Sequence, residues 1–371
     1  MASSKNIYII NTAAEPNNVI FSHAEFLKES GYNPVFVFPK RSKDEDYSFF
    51  EDYQYILLNF VFSNKGHLSY FISTMRLVFF VSKAFLFKRE IKHFFAIDLP
   101  GTWACIFLKL RGIKVITLVN DNFSARYNLP NKIYLMLRAI ETFSYRLISN
   151  LIIFPDISRH SLLGSPKFKN VAYIPNILSD QKAPKYMGSK SINLKILLCG
   201  WLDLSRGVEL LLDILKNTDE GIEFILVGTG DSDYLKELSS NQRVTCLSHV
   251  SREENLEIMS NVDINFAFYN PSILINRNAL PQKVYDALLV GCPIYINSEV
   301  NMTNGLLNHQ LCLTSKYFDI ESISDTLNDL LQDKNRLIAM SERIIKYSKH
   351  HVNFLKTRQA AISMYKNFNS K

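Results

Sequence analysis

Long apolar runs are missing from this 371-residue chain, and with no uninterrupted stretch of about 18 apolar residues no transmembrane helix is expected. Cysteine is scarce too. The five (Cys105, Cys199, Cys246, Cys292 and Cys312) form no Cys-x-x-Cys pair. They are expected to be free thiols in a reducing compartment, and buried where Cys199, Cys246 and Cys292 lie in or beside apolar runs. Arg-Gly, zinc-finger and helix-turn-helix patterns are absent, so nucleic acid is not an expected partner. The opening "MASSKNIYIINTAAEP" runs from a polar start into a short strand and turn residues, which is no secretory signal, so a cytoplasmic place is expected. Charge is moderate at +7, suited to an acidic small molecule or an anionic membrane surface.

What is present is apolar material for two cores, in a chain too long for one. Short β-branched and aromatic runs alternate with helical patterns throughout, the mark of parallel α/β layers. The first series of strands is "NIYII", "PVFVF", "YILLNF", "HFFAID", "KVITLV", "LIIFP" and "VAYIP". The polar, aperiodic stretch 181–193 reads as a linker. A second series follows: "KILLCG", "IEFILVG", "VTCLS", "INFAFY", "PIYIN" and "QLCLT". Two doubly wound domains are expected, over residues 1–180 and 194–349, with a helical tail near 350–371 that can pack back on the first. Ligands of such sheets bind beyond the carboxyl ends of the strands. Two facing sheets would place the site in the cleft between them.

Two cations stand where the helix dipole disfavours them. In "LCGWLDLSRGVELLLDIL" the strand is expected to stop at Gly200, a loop to hold Trp201 to Ser205, and Arg206-Gly207 to open a helix. In "NALPQKVYDALLVGCP" Pro281 fits the first helical position and Gly291 the position past the end, which puts Lys283 in the first turn. Asp286, three residues on, can share its face. One diphosphate at both helix starts would account for Arg206 and Lys283 together. "FILVGTGDSDYL" fails as a dinucleotide fingerprint because Asp233 replaces the third glycine, so Gly228 and Gly230 are expected in a tight turn. His249 lies between a strand and a helix that Ser251 and Glu254 should cap.

These residues, in this order, resemble the GT-B glycosyltransferases of family 4. The second half matches through Gly-x5-Arg-Gly, "FILVGTG", "ENLEIMSNVDI" and Pro-x-Lys…Asp…Gly-x-Pro, and the first through "HFFAIDLPGTWACIFLKLRGIKVITLVND" and "NLIIFPD…VAYIPN". The resemblance implies an α/β fold with two Rossmann-like domains facing across a cleft, the first for the acceptor and the second for a nucleotide sugar. It implies a sugar transfer, retaining as in the family, in which Arg206 and Lys283 neutralise the diphosphate and Asp286 binds ribose. Asn278 takes the place of a sugar-binding Glu, with Gly200, Trp201, Gly228, His249, Ala279 and Leu280 also on the donor side. On the acceptor side stand Glu15, Asn17, Asn18 and Asn120. The chain departs from the family in having "AAEPNNV" for a Gly-Gly loop and Asn120-Asp121 for His-Asp. If the enzyme inverts, the base is expected to be Asp121, or failing it Glu15 or Asp98.

No metal and no cofactor are expected, since two cations already face the phosphates. Residues 65–95 mix Phe, Leu and Val with six cations against Glu90 alone, which predicts either a basic amphipathic helix on an anionic membrane or a core helix with snorkelling lysines. The first of these suits a polyprenyl-linked or glycan acceptor in capsule or lipopolysaccharide assembly, at the inner face of the cytoplasmic membrane. Two other readings stay open: a sugar-nucleotide epimerase of the same fold, and a non-catalytic relative that binds the donor.

Overall fold

A computed structural model describes residues 5–12, 18–40, 52–63, 67–176, 183–230, 232–248, 250–351 and 354–370. The apolar runs become strands buried on both faces, as parallel sheets between helices require; His93–Ile97 and Ile264–Ala267 are buried at every residue. The first sheet has strands β1 (Lys5–Ile10), β2 (Tyr32–Lys40), β3 (Gln54–Val61), β4 (His93–Ile97), β5 (Lys114–Leu118), β6 (Leu151–Phe154) and β7 (Val171–Tyr173). They lie in the order β3-β2-β1-β4-β5-β6-β7 and pair in parallel. The second has β8 (Leu194–Leu202), β9 (Ile222–Gly230), β10 (Val244–Leu247), β11 (Ile264–Ala267), β12 (Ile294–Ile296) and β13 (Cys312–Leu313), ordered β10-β9-β8-β11-β12-β13 and again parallel. Strand order reverses beside β1 in one sheet and beside β8 in the other, which are the switch points where such folds bind ligands.

The helices around the first sheet are α1 (Asn18–Glu29), α2 (His67–Phe85), α3 (Asp98–Ala104), α4 (Ile106–Lys109), α5 (Asn131–Ile148) and α6 (Ile157–Leu162). Around the second are α7 (Leu211–Lys216), α8 (Ser232–Ser239), α9 (Arg252–Ser260), α10 (Leu274–Arg277), α11 (Gln282–Val290), α12 (Asn301–Asn308), α13 (Ile320–Gln332) and α14 (Asn335–His351). The last helix, α15 (Phe354–Ser370), belongs to the first unit, which comprises Met1–Leu178 and Leu355–Lys371; Ser179–Phe354 form the second. α15 is held on α1 by the Tyr365 hydroxyl, 2.7 Å from His23 Nδ1, and by the Arg358 fork on Glu29.

Several local expectations are corrected. β8 does not stop at Gly200 but continues to Leu202, in register with β9 as far as Leu202↔Gly230. Gly228 and Gly230 therefore lie in a strand rather than a turn: a Cβ on Gly228 would sit 1.9 Å from the Gly200 carbonyl oxygen, and one on Gly230 1.8 Å from that of Leu202. Cys246 is exposed, while the other four thiols are buried, because β10 is an edge strand. Part of the stretch read as a linker is seated on the second sheet's helices: Tyr186 N–H donates to the Val290 carbonyl, and the Met187 and Gly188 N–H groups to that of Ser260. Finally, Leu68–Phe85 in α2 is long and apolar enough, by length and composition, to cross a membrane. Its Leu77, Val81 and Phe85 are nevertheless packed in the core of the first unit.

Candidate functional site

The carboxyl edge of the second sheet carries most of the residues expected on the donor side. α11 follows the buried N-cap Pro281 and ends at Gly291, whose φ of +93° gives the left-handed cap that glycine supplies without strain. Lys283, second in this helix, is buried, and its Nζ has no hydrogen-bond partner among the described residues. The ammonium lies 5.6 Å from the centre of the Tyr269 ring, and the Arg206 guanidinium stands 5.9 Å from the same ring. Tyr269 follows β11 and is pinned by a two-way exchange with Asn297: its N–H donates to Oδ1 and its carbonyl accepts from Nδ2. A buried aromatic ring thus gathers two cations that lie far apart in sequence. Burial holds the Lys283 pKa down at about 8; Cys199 opposes it, and the Arg206 charge adds a lesser lowering.

Arg206 does not open a regular helix, which corrects the expectation. It ends a 3-10 turn (Leu204–Arg206), a second such turn covers Val208–Leu210, and α7 starts only at Leu211. The break is Gly207, at φ +88°, where a Cβ would press on Phe268 at 3.1 Å and on Phe266 at 3.2 Å. The loop is held by Asp203, which accepts from Ser205, and by the Asn270 N–H, which donates to the Ser205 carbonyl.

Asp286 is buried, and its ion pair is with Arg252 at 2.8 Å rather than with Lys283. Gln282 Nε2 donates to the same carboxylate oxygen at 3.1 Å. Burial raises the Asp286 pKa and Arg252 opposes the rise. Arg252 opens α9, whose expected capping box between Ser251 and Glu254 is formed. Where α9 packs on α11, the buried Arg252 Nε, Asn255 Oδ1, Gln282 Oε1 and Lys283 Nζ all lack partners among the described residues. Native interiors leave few such atoms unpaired, so four together mark a place built for a polar ligand or ordered water.

Asn278 ends α10, where its Nδ2 donates to the Leu274 carbonyl and its Oδ1 accepts from Asn301 Nδ2. Ala279 is buried and Leu280 half-buried in the loop into α11. Gly200, Trp201 and Gly228 sit at the paired tips of β8 and β9, with Trp201 57% exposed. His249 lies outside the described residues. An acidic pair, Asp231 and Asp233, follows β9; Asp231 is outside the described residues and Asp233 pairs with Lys236 at 3.5 Å. Among the described residues no group of three or more His, Cys, Asp or Glu is placed to hold a metal ion.

The first unit has its own polar cluster at the carboxyl edge of its sheet. Asp98 follows β4 at a left-handed φ of +54°, and its carboxylate accepts from the backbone N–H groups of Asn120 (2.8 Å) and Asp121 (3.0 Å). Burial, then the neighbouring Asp121 charge, push Asp98 up to about 7. The Asp121 carboxylate is bridged by Arg126 at 3.1 Å and Arg159 at 3.4 Å. Unpaired buried atoms recur here among the described residues, on Asn120, Asn122 and Arg159. Asn18 is exposed at the start of α1, and Glu15 and Asn17 lie outside the described residues.

No protein-family model matches the chain, and no curated protein does. Solved structures do. The sucrose-phosphate synthase of Thermosynechococcus elongatus is similar over 99% of both chains, with a TM-score of 0.77 at 14% identity. Anabaena HepE in complex with UDP-glucose is similar over 98% of this chain and 99% of its own (TM-score 0.71, 12% identity). WaaG, a glycosyltransferase involved in lipopolysaccharide biosynthesis, matches over 96% and 98% (TM-score 0.65, 13% identity). The fold is GT-B. Within this GT-B chain, Tyr269, Arg252, Arg126 and Arg159 contact the candidate site residues and are absent from the sequence reading. Tyr269 sits in an apolar run that looks like any core strand, and the three arginines take their meaning from carboxylates distant in sequence.

Proposed function

We propose that this chain is a glycosyltransferase that takes a sugar from a nucleoside-diphosphate sugar and passes it to a glycan or lipid-linked acceptor. The observation that carries the reading is the buried, unpartnered Lys283 beside Arg206 over one tyrosine ring. A lysine with no internal anion is costly to bury. A diphosphate bound at the start of α11 relieves that cost, and the same charges stabilise it as it leaves. In the transfer the bond from the anomeric carbon to the diphosphate oxygen breaks while an acceptor hydroxyl oxygen bonds that carbon and its proton departs. Cations aimed at the oxygen that gains charge are the principal electrostatic help for such a step. HepE has been solved with UDP-glucose, with UDP and glucose, and with UDP, which makes uridine nucleotides the first donors to try.

In the same reading, Asp286, oriented by Arg252 and Gln282, meets ribose, and Asn278 and the β8–β9 tips border the sugar. A retaining, metal-independent transfer in surface polysaccharide synthesis, at the cytoplasmic side of a membrane, completes the proposal. Asp121 serves better as a loop anchor than as a base, because two guanidinium groups already engage it. One feature favours a second reading, a donor-binding relative without turnover: the Asn278 amide is already bonded to Leu274 and Asn301. A panel of nucleotide sugars separates the two. Release of nucleoside diphosphate that is lost in Lys283→Ala supports the transferase; tight binding with no release supports the second reading, and neither binding nor release contradicts both.

A further inference from the structure

α5 is turned inside out. Ile133, Met136, Ile140, Phe143 and Leu147 recur at helical spacing and are all exposed, Phe143 by 65%. The opposite face, with Glu141, Ser144 and Tyr145, is buried. Glu141 spends its carboxylate on the N–H groups of Phe123 and Ser124 and on the hydroxyls of Ser124 and Tyr145. α2 repeats the pattern: Leu68, Phe71, Ile72, Met75 and Phe79 are exposed, while Leu77, Val81 and Phe85 face the core. An apolar cavity of about 220 Å³ joins the two stripes, since Phe71 of α2 and Ile140 of α5 both line it, with Trp103 of α3 at its side. Phe123 and Tyr127, from the loop that carries Asp121, line it as well.

Apolar surface of this extent on two helices marks a contact site, and charge selects its occupant. α2 carries Arg76 and Lys83 and no acidic residue; α5 carries Lys132, Arg138 and Arg146, and its one acidic residue is the buried Glu141. A second copy of the chain docking through the same face would set these cations against their own counterparts. Spanning is excluded by the core contacts of the inner faces. We propose that the first unit docks on an anionic phospholipid bilayer through the outward stripes of α2 and α5, and that a lipid hydrocarbon chain enters the cavity between them. This surface extends beyond residues 65–95, and it needs no donor sugar, so it fails or stands independently of the transferase reading.

The test is flotation of the full chain with vesicles of phosphatidylethanolamine and phosphatidylglycerol, and with pure phosphatidylcholine. Only two tryptophans are present, so Trp201→Phe leaves Trp103 as the reporter for lipids brominated in the acyl chain. The chain is expected to float with the anionic vesicles, less so in high salt, with Trp103 quenched. Phe143→Glu and Phe79→Glu, at exposed positions and with melting curves to confirm folding, should each weaken binding about tenfold or more. Absence of flotation with the anionic vesicles, or equal binding by both variants, overturns the docking surface. So does a dimer in sedimentation that Phe143→Glu dissociates. Unquenched Trp103 in a bound chain overturns the entry of the hydrocarbon.

Discussion

Lys283 is the residue whose energetics run against stability. With its pKa lowered from 10.5 to about 8, the unfolded chain holds this proton more tightly than the folded one. The penalty is thus full below about pH 8 and fades as pH rises through 10.5. Lys283→Met keeps most of the volume and removes the charge, so it should stabilise the ligand-free protein by on the order of 1–3 kcal/mol at neutral pH. It should also abolish the thermal stabilisation that nucleotides confer. Paired melting curves with and without UDP check both. Asp98 behaves in the opposite sense. Its pKa lies above the ordinary 3.8, at about 7, so its contribution to stability is full below about pH 4 and is lost as pH rises to 7. Asp98→Asn retains an acceptor for the Asn120 and Asp121 N–H groups and tolerates the left-handed backbone. Urea unfolding between those pH values should show the variant gaining on the parent as pH rises; a constant difference contradicts the assignment.

At the scale of elements, the tips of β8 and β9 are built on contact between backbones. Gly230→Ala places a methyl group on the Leu202 carbonyl. It should cost more than about 2 kcal/mol, or unpair the tips and weaken donor binding; unchanged melting and binding would contradict this. The elements themselves were largely legible. Strands buried on both faces read as continuous apolar runs, and the seven and six expected runs are the strands observed. The capping box on α9 and the glycine cap on α11 were legible because they are local chemistry. The continuation of β8 was not, because a glycine usually punctuates and here serves close approach. The facing of α5 was hidden for another reason: periodicity tells which side of a helix is apolar, not which side meets the core.

In the whole molecule, each unit brings its charged groups to the carboxyl edge of its sheet, and helical connections carry the chain back between strands. Arg206 and Lys283 were readable as a pair because each follows a strand where the sequence predicts a helix start, although only Lys283 stands at one in the fold. Their meeting point, Tyr269, was not, nor was the partnership of Asp286 with Arg252, since both depend on packing between distant segments. The central claim is that a diphosphate pairs with the buried Lys283 ammonium. Its most direct test is calorimetry of UDP binding at about pH 9, in buffers of different ionisation enthalpy, where the free lysine is mostly neutral and an anion must reprotonate it. The account predicts proton uptake approaching one per UDP in the parent chain, affinity that falls as pH rises above 8, and neither effect in Lys283→Met. Binding without proton uptake, or with equal affinity in the variant, would contradict it.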